Sequence, residues 1–272
     1  MGLEDIAFAF VDKVDSNRME SILRDLNNKS EDFSRAFNYL IAVCEKLNST
    51  GLQEKYMLIG GYAVLAHLYS ARGDKILSRW RGSHDLDLVS RDYSIESVLE
   101  GAFEEVEVNT SHFPDKDVAY IKDELELLRE LEGNPSKPPF KIDLYVPKSA
   151  GDIVLCREEI DEKIWSRSRD IDILGHNIRA MSIIDLIKLK LNVETKTGLP
   201  RDRDIADIYN LLGLAEIEKY MVNDIYAELG SKQKLKLAKV ISLYNTIGKP
   251  NEEVLVRPSQ EYMAGYCKLA RA

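Results

Sequence analysis

The sequence predicts an α+β fold: a mixed β-sheet flanked by helices, with N-terminal helices before it and a C-terminal helical bundle after it. Three observations predict it. Apolar residues recur at three-to-four spacing over residues 3–50. They alternate one-in-two in short runs between 56 and 180, and the helical period returns after Ser182. The 272 residues are 44% hydrophobic, enough to bury a core as one large domain or two modest ones. The expected division is an N-terminal helical segment (1–55), a central core (56–181) and a C-terminal helical domain (182–272).

The elements follow in order. Ile6, Phe8, Phe10, Val11 and Val14, then Met19, Ile22, Leu23 and Leu26, then Phe33, Phe37, Leu40, Ile41, Cys44 and Leu47 give helical faces, and Asn48-Ser49-Thr50-Gly51 stops them. Tyr56-Met57-Leu58-Ile59 is a short strand ended by Gly60-Gly61, and Ala63, Val64, Ala66, His67 and Leu68 continue as a helix. Residues 71–84 are polar and basic. Leu86, Leu88 and Val89 alternate with Asp85 and Asp87 as a strand. Phe103–Val108 and Val118–Lys122 are further strand candidates, and Pro135, Pro138 and Pro139 mark a loop. Phe140–Val146 alternates again until Pro147. Ile171–Leu174 and Asn177–Ala180 read as a hairpin turning at Gly175-His176. Ser182-Ile183-Ile184-Asp185 has capping-box spacing and opens a helix, with others over 202–212, 215–229 and 231–246. No repeat or low-complexity tract interrupts this order.

Charge narrows the classes. The net charge of −9 disfavours a protein that coats nucleic acid electrostatically. The charge is local: residues 91–132 carry 13 acidic and 4 basic side chains, whereas 182–272 hold 14 basic and 12 acidic ones. No run reaches the roughly 18 apolar residues of a membrane helix, and Glu4, Asp5 and Asp12 do not suit a signal peptide. Cys44, Cys156 and Cys267 are too few and too scattered for a disulfide framework or a zinc site. A reduced, cytoplasmic setting without membrane association is expected.

The chemistry centres on Arg81-Gly82-Ser83-His84-Asp85-Leu86-Asp87. On a strand, residues two apart share a face, so Asp85 and Asp87 project together while Leu86 and Leu88 enter the core. Paired carboxylates repel, and a divalent cation such as Mg²⁺ relieves the repulsion. An isolated Asp-x-Asp is more often a solvated strand face. Here Asp143, on a second alternating strand, offers a third carboxylate, and strand–Gly60-Gly61–helix is the layout of a phosphate cradle. A Gly-Gly alone is more often a tight turn; the ordered set is more specific.

That order resembles the DNA polymerase β-like nucleotidyltransferase superfamily. Gly60-Gly61-Tyr62-Ala63-Val64-Leu65-Ala66-His67 and Arg81-x-Ser83-x-Asp85-x-Asp87 are similar to motifs of its minimal members, the AbiEii-type toxins of type IV toxin–antitoxin systems, with Ser for Thr. Asp185-Leu186-Ile187-Lys188-Leu189-Lys190 and Arg201-Asp202-Arg203-Asp204-Ile205-Ala206-Asp207 are similar to the family's downstream segments. The likeness covers roughly 56–212. The 24 positions from Gly61 to Asp85 make a long connection, and the acidic segment 91–132 is an elaboration.

The resemblance implies a nucleotidyltransferase-like sheet and Mg²⁺-dependent transfer of NMP from an NTP to RNA or tRNA, a protein or a small molecule. A toxin-type enzyme with an antitoxin or other protein partner is one form of it. It implies two Mg²⁺ ions, replaceable by Mn²⁺, held by Asp85, Asp87 and Asp143. Gly60, Gly61, Ser83 and Arg81 become nucleotide-binding candidates, with Arg79 as a further phosphate contact. Lys188 and Lys190 compete for the triphosphate; two positions apart on a helix, they cannot share a face. Lys190 aligns better, with Asp204 as a catalytic partner; Asp204 and Asp207 orient Lys190 or an acceptor, or simply pair with Arg201 and Arg203. His67 reads as a buried, hydrogen-bonded residue rather than a base, and His84 faces away from the Asp-x-Asp side. Trp80 and Trp165 read as packing or surface residues. Lys232, Lys234, Lys236 and Lys239 are either a solvated face or an RNA contact.

Two other readings stand beside this one. A nucleotide- or partner-binding protein on an inactive nucleotidyltransferase scaffold would explain the same motifs. A haloacid-dehalogenase-like phosphatase also uses Asp-x-Asp, but an apolar strand would precede Asp85, and Ser78–His84 is polar.

Overall fold

The computed structural model describes residues 31–83, 85–92, 94–100, 102, 106–113, 140–147, 154–155, 158–193, 195, 198–247 and 254–270. The helices expected before residue 31, the Val118–Lys122 strand, the proline loop, His84, Cys156 and most of the acidic segment lie outside the described residues.

The chain is α+β. Helix α1 (Glu31–Ser49) is followed by β1 (Tyr56–Leu58), α2 (Gly60–Arg72) and a 3-10 turn, then β2 (Asp85–Ser90), α3 (Ser94–Glu100), β3 (Val106–Phe113) and β4 (Phe140–Pro147). Two short strands, β5 (Val154–Leu155) and β6 (Glu158–Glu159), pair with each other. Then come α4 (Glu162–Arg167), β7 (Arg169–Ile173) and β8 (His176–Ala180). Helices α5 (Ile183–Asn192), α6 (Asp202–Ile217), α7 (Val222–Glu228), α8 (Ser231–Ile247) and α9 (Gln260–Leu269) follow among the described residues.

Among the described residues, the main sheet has six strands in the order β3-β4-β2-β1-β8-β7. β3, β4 and β2 run parallel, β1 is antiparallel to β2 and parallel to β8, and β7 closes the edge antiparallel to β8. The alternation read from the sequence is the one observed. Leu86, Leu88, Ile142 and Leu144 are fully buried, while Asp85 and Asp87 are half-buried on the opposite face. Helix α1 packs on β8 and β2, and α2 packs on β2, β7 and β8 and against α5 and α6. One buried core runs from Phe37 to Tyr266 and is continuous across residue 181.

Several boundaries differ from the sequence pattern, each for a local reason. β3 runs to Phe113 rather than ending at Val108, because its polar residues 109–112 pair with β4 over their whole length. The hairpin turns at Leu174-Gly175, both with positive φ (56° and 82°), and Asp172 accepts the Gly175 N–H at 3.1 Å. His176 is therefore the first residue of β8 and is buried.

Helix α6 does not stop at Leu212. It continues through Gly213, where an added Cβ would lie 2.4 Å from the Val256 carbonyl oxygen. Glycine here serves close packing of a neighbouring segment, not helix termination. α4 and α9, which periodicity did not mark, start at side-chain caps: Asp161 accepts the Ile164 N–H and Ser259 the Tyr262 N–H. At α5 the expected Ser182 cap is present.

Candidate functional site

The three carboxylates converge because of sheet register. Asp85 and Asp87 share a face of β2, and the parallel β2–β4 ladder sets Asp143 directly beside Asp87. Asp85, Asp87 and Asp143 can each present an oxygen so that all lie within 4.8 Å of one another. Asp143 is buried and the other two are half-buried. Three carboxylates this close repel, and an all-oxygen donor set suits a hard divalent cation. The triad is therefore able to hold a metal ion.

The end of β1 delivers Gly60 and Gly61 to the same place. The Ile59 N–H donates to the Asp87 carbonyl at 3.0 Å, which brings the first turn of α2 against β2. Gly60 has φ +67°, and a Cβ there would lie 2.1 Å from Asp87 Oδ2. A Cβ on Gly61 would lie 3.1 Å from Ser83 Oγ and 3.3 Å from an Arg81 guanidinium nitrogen. Ser83 Oγ in turn donates to Asp85 Oδ1 at 3.0 Å. The glycines, Ser83, Arg81 and the carboxylates thus form one cluster. The α2 N-terminus carries no acidic residue in its first turn and no side-chain cap, so its amides and dipole face the cluster without a competing carboxylate on α2.

A second group of charges borders it. Arg81 donates to Asp207 through Nη2 (2.7 Å) and Nε (3.4 Å). Lys190 Nζ donates to Asp207 at 2.7 Å and Asp204 at 3.3 Å, and Arg201 donates to Asp204 at 2.6 Å. Lys190, Asp204 and Asp207 are all buried. Burial pulls the Lys190 pKa down, but Asp207 and Asp204 outweigh it and hold the ammonium above the ordinary lysine value. Burial likewise raises Asp204, but Lys190 and Arg201 outweigh it and hold the carboxylate below its ordinary value.

Lys190 and Asp204 therefore meet each other, and through Asp207 and Arg81 they meet the glycine turn. Lys188 is half-buried at a different point of the α5 surface, and Arg79 is exposed. His67 is buried, its Nε2 donating to the Met181 carbonyl at 2.8 Å. Burial first, with Arg169 adding to it, lowers its pKa to about 4 against the opposing pull of that carbonyl. Trp80 and Trp165 are buried in the core. The basic stretch of α8 is not one solvated face: Lys236 is buried and donates to the Leu191 carbonyl at 2.8 Å, near the end of α5.

Sequence reasoning missed Tyr145, whose hydroxyl lies 3.5 Å from Asp87 Oδ1. The signal was present, since Tyr145 is two residues from Asp143 on the same face of β4. Comparisons with family models, curated proteins and solved structures find no match to this chain.

Proposed function

We propose that the protein is an Mg²⁺-dependent nucleotidyltransferase that moves an NMP from an NTP to an acceptor hydroxyl. The observation that carries this is the convergence of Asp85, Asp87 and Asp143 against the Gly60-Gly61 turn at the start of α2. Carboxylates for cations and helix amides for phosphates are the two parts that phosphoryl transfer needs side by side. Bound Mg²⁺, or Mn²⁺ in its place, would neutralise the triphosphate and lower the pKa of the attacking hydroxyl.

The remaining roles fall to the chain itself. Asp85, Asp87 and Asp143 hold the cations. The Gly60 and Gly61 amides, Ser83 and Arg81 line the triphosphate side. Lys190 and Asp204 maintain the charge balance behind Arg81. RNA or tRNA, a protein side chain or a small molecule supplies the acceptor, and an AbiEii-like toxin with an antitoxin partner is one form the enzyme takes. Asp85 opens β2 instead of following an apolar strand, which disfavours a phosphatase with Asp85 as nucleophile.

Incubation with each labelled NTP, Mg²⁺, total RNA and protein extract tests the proposal. Label transfer with pyrophosphate release, lost in Asp85→Ala and Asp143→Ala, is expected. Release unaffected by both changes overturns it. Mg²⁺-independent nucleotide binding without transfer favours a binding protein on an inactive scaffold.

A further inference from the structure

The charges around Asp207 divide the work of Arg81 from that of Lys190. Asp207 is 1% exposed and Arg81 14%. Its carboxylate is gripped twice: Lys190 Nζ and Arg81 Nη2 each donate to Oδ2 at 2.7 Å. Arg81 is fixed on other sides as well. Its guanidinium carbon sits 5.4 Å from the centre of the Trp80 ring, and Nη1 donates to the Gly82 carbonyl at 2.7 Å. With these contacts in place, Arg81 Nη2 lies 3.3 Å from the Cβ position of Gly61, at the start of α2.

Two cationic features, a guanidinium and a helix N-terminus, are thereby held together. Arg81, Lys190 and Arg201 against Asp204 and Asp207 leave one positive charge over. Lys190 itself is buried, 8% exposed at its side chain, behind the two carboxylates.

Resting on the nucleotidyltransferase reading, we infer that Asp207 is a positioning residue: it holds the Arg81 guanidinium at the α2 N-terminus to receive the triphosphate. Lys190 acts on the nucleotide only through Asp207. An arginine fork tolerates little misorientation, because its value lies in paired, directed N–H groups. Losing Asp207 therefore weakens nucleotide binding without touching the carboxylates that hold the cation.

The test is a double-mutant cycle on the full chain with Arg81→Met, Asp207→Asn and both. Affinity for a non-hydrolysable NTP analogue with Mg²⁺ is read by calorimetry, Mn²⁺ binding without nucleotide by electron paramagnetic resonance, and folding by thermal melts. Each single change is expected to weaken nucleotide binding roughly tenfold or more, the loss of one charge-assisted pair. The double variant should bind no more weakly than Arg81→Met, and Mn²⁺ binding should be unchanged throughout.

Unchanged nucleotide affinity in Asp207→Asn, or losses that multiply in the double variant, overturns the inference. If Asp207→Asn does not fold, Arg81→Lys serves, keeping the charge and removing the fork. Wild-type affinity there overturns the inference equally. A wild-type protein that binds neither Mn²⁺ nor the NTP analogue overturns the nucleotidyltransferase reading itself. Normal wild-type binding with an indifferent Asp207→Asn overturns the positioning role alone.

Discussion

Gly60 and Asp87 are packed so closely that a Cβ on Gly60 would lie 2.1 Å from Asp87 Oδ2. The glycine also holds φ at +67°, where an L side chain costs roughly 1–2 kcal/mol. Gly60→Ala therefore carries backbone strain and displaces one member of the carboxylate triad. We expect it to lower stability by about 2 kcal/mol or more in urea denaturation and to abolish divalent-cation binding. Gly61→Ala meets the Ser83 side chain at 3.1 Å and the end of the Arg81 side chain at 3.3 Å, contacts that small shifts relieve, and should cost less on both readouts. Equal effects of the two changes would show that the close approach of Gly60 to Asp87 does not matter.

The site was more legible than the outline of the fold. Strand periodicity placed Asp85 and Asp87 on the face of one strand opposite its core leucines and Asp143 on a second alternating strand, and only the register of β2 on β4 was needed to bring them together. Arg81 and Asp207 lie 126 positions apart, and no local pattern could pair them. Element ends were hidden for a related reason. Gly213 reads as a breaker locally, yet its role is set by Val256, more than 40 positions on. β3 is a strand through Asn109-Thr110-Ser111 because β4 offers a ladder there, which composition does not announce.

Three mutually close carboxylates should make the metal-free protein less stable than it could be. Asp143→Asn keeps the shape and removes one charge from the triad. Without divalent cations the variant is expected to melt at or above the wild-type temperature. Added Mg²⁺ should raise the wild-type melting temperature, since ligands that bind only the folded state stabilise it by mass action, but not that of the variant. A Mg²⁺-dependent rise of equal size in both proteins would place the cation elsewhere.

His67 makes stability depend on pH. Folded, it is neutral down to about pH 4; unfolded, it takes a proton near 6.5. Between those values the unfolded state binds more protons, so stability falls as pH drops through the window. The full difference is about 3 kcal/mol at most. In His67→Gln, where the amide can still donate to the Met181 carbonyl, that part of the slope should vanish. Urea denaturation at pH 7, 5.5 and 4 measures it, and identical slopes in both proteins would remove His67 as the cause.

Lys190 lies between two buried carboxylates, each of which keeps a second cation: Arg201 for Asp204 and Arg81 for Asp207. Breaking a buried pair usually costs about 3–5 kcal/mol because a charge is stranded. With both partners still paired, Lys190→Met should fall at or just below the low end of that range, about 2–3 kcal/mol at pH 7. The pH dependence separates electrostatics from packing. The raised Lys190 pKa stabilises the fold below the ordinary lysine value, and that stability is lost only as pH rises through the folded value. The depressed Asp204 pKa stabilises above 3.8, and that stability is lost as pH falls through its lower folded value. The difference between wild type and Lys190→Met should therefore hold from pH 5 to 9 and shrink below pH 3.8 as Asp204 protonates. A difference that stays constant into that acid range would mean that Lys190 stabilises through its packed methylenes and not through the two aspartates.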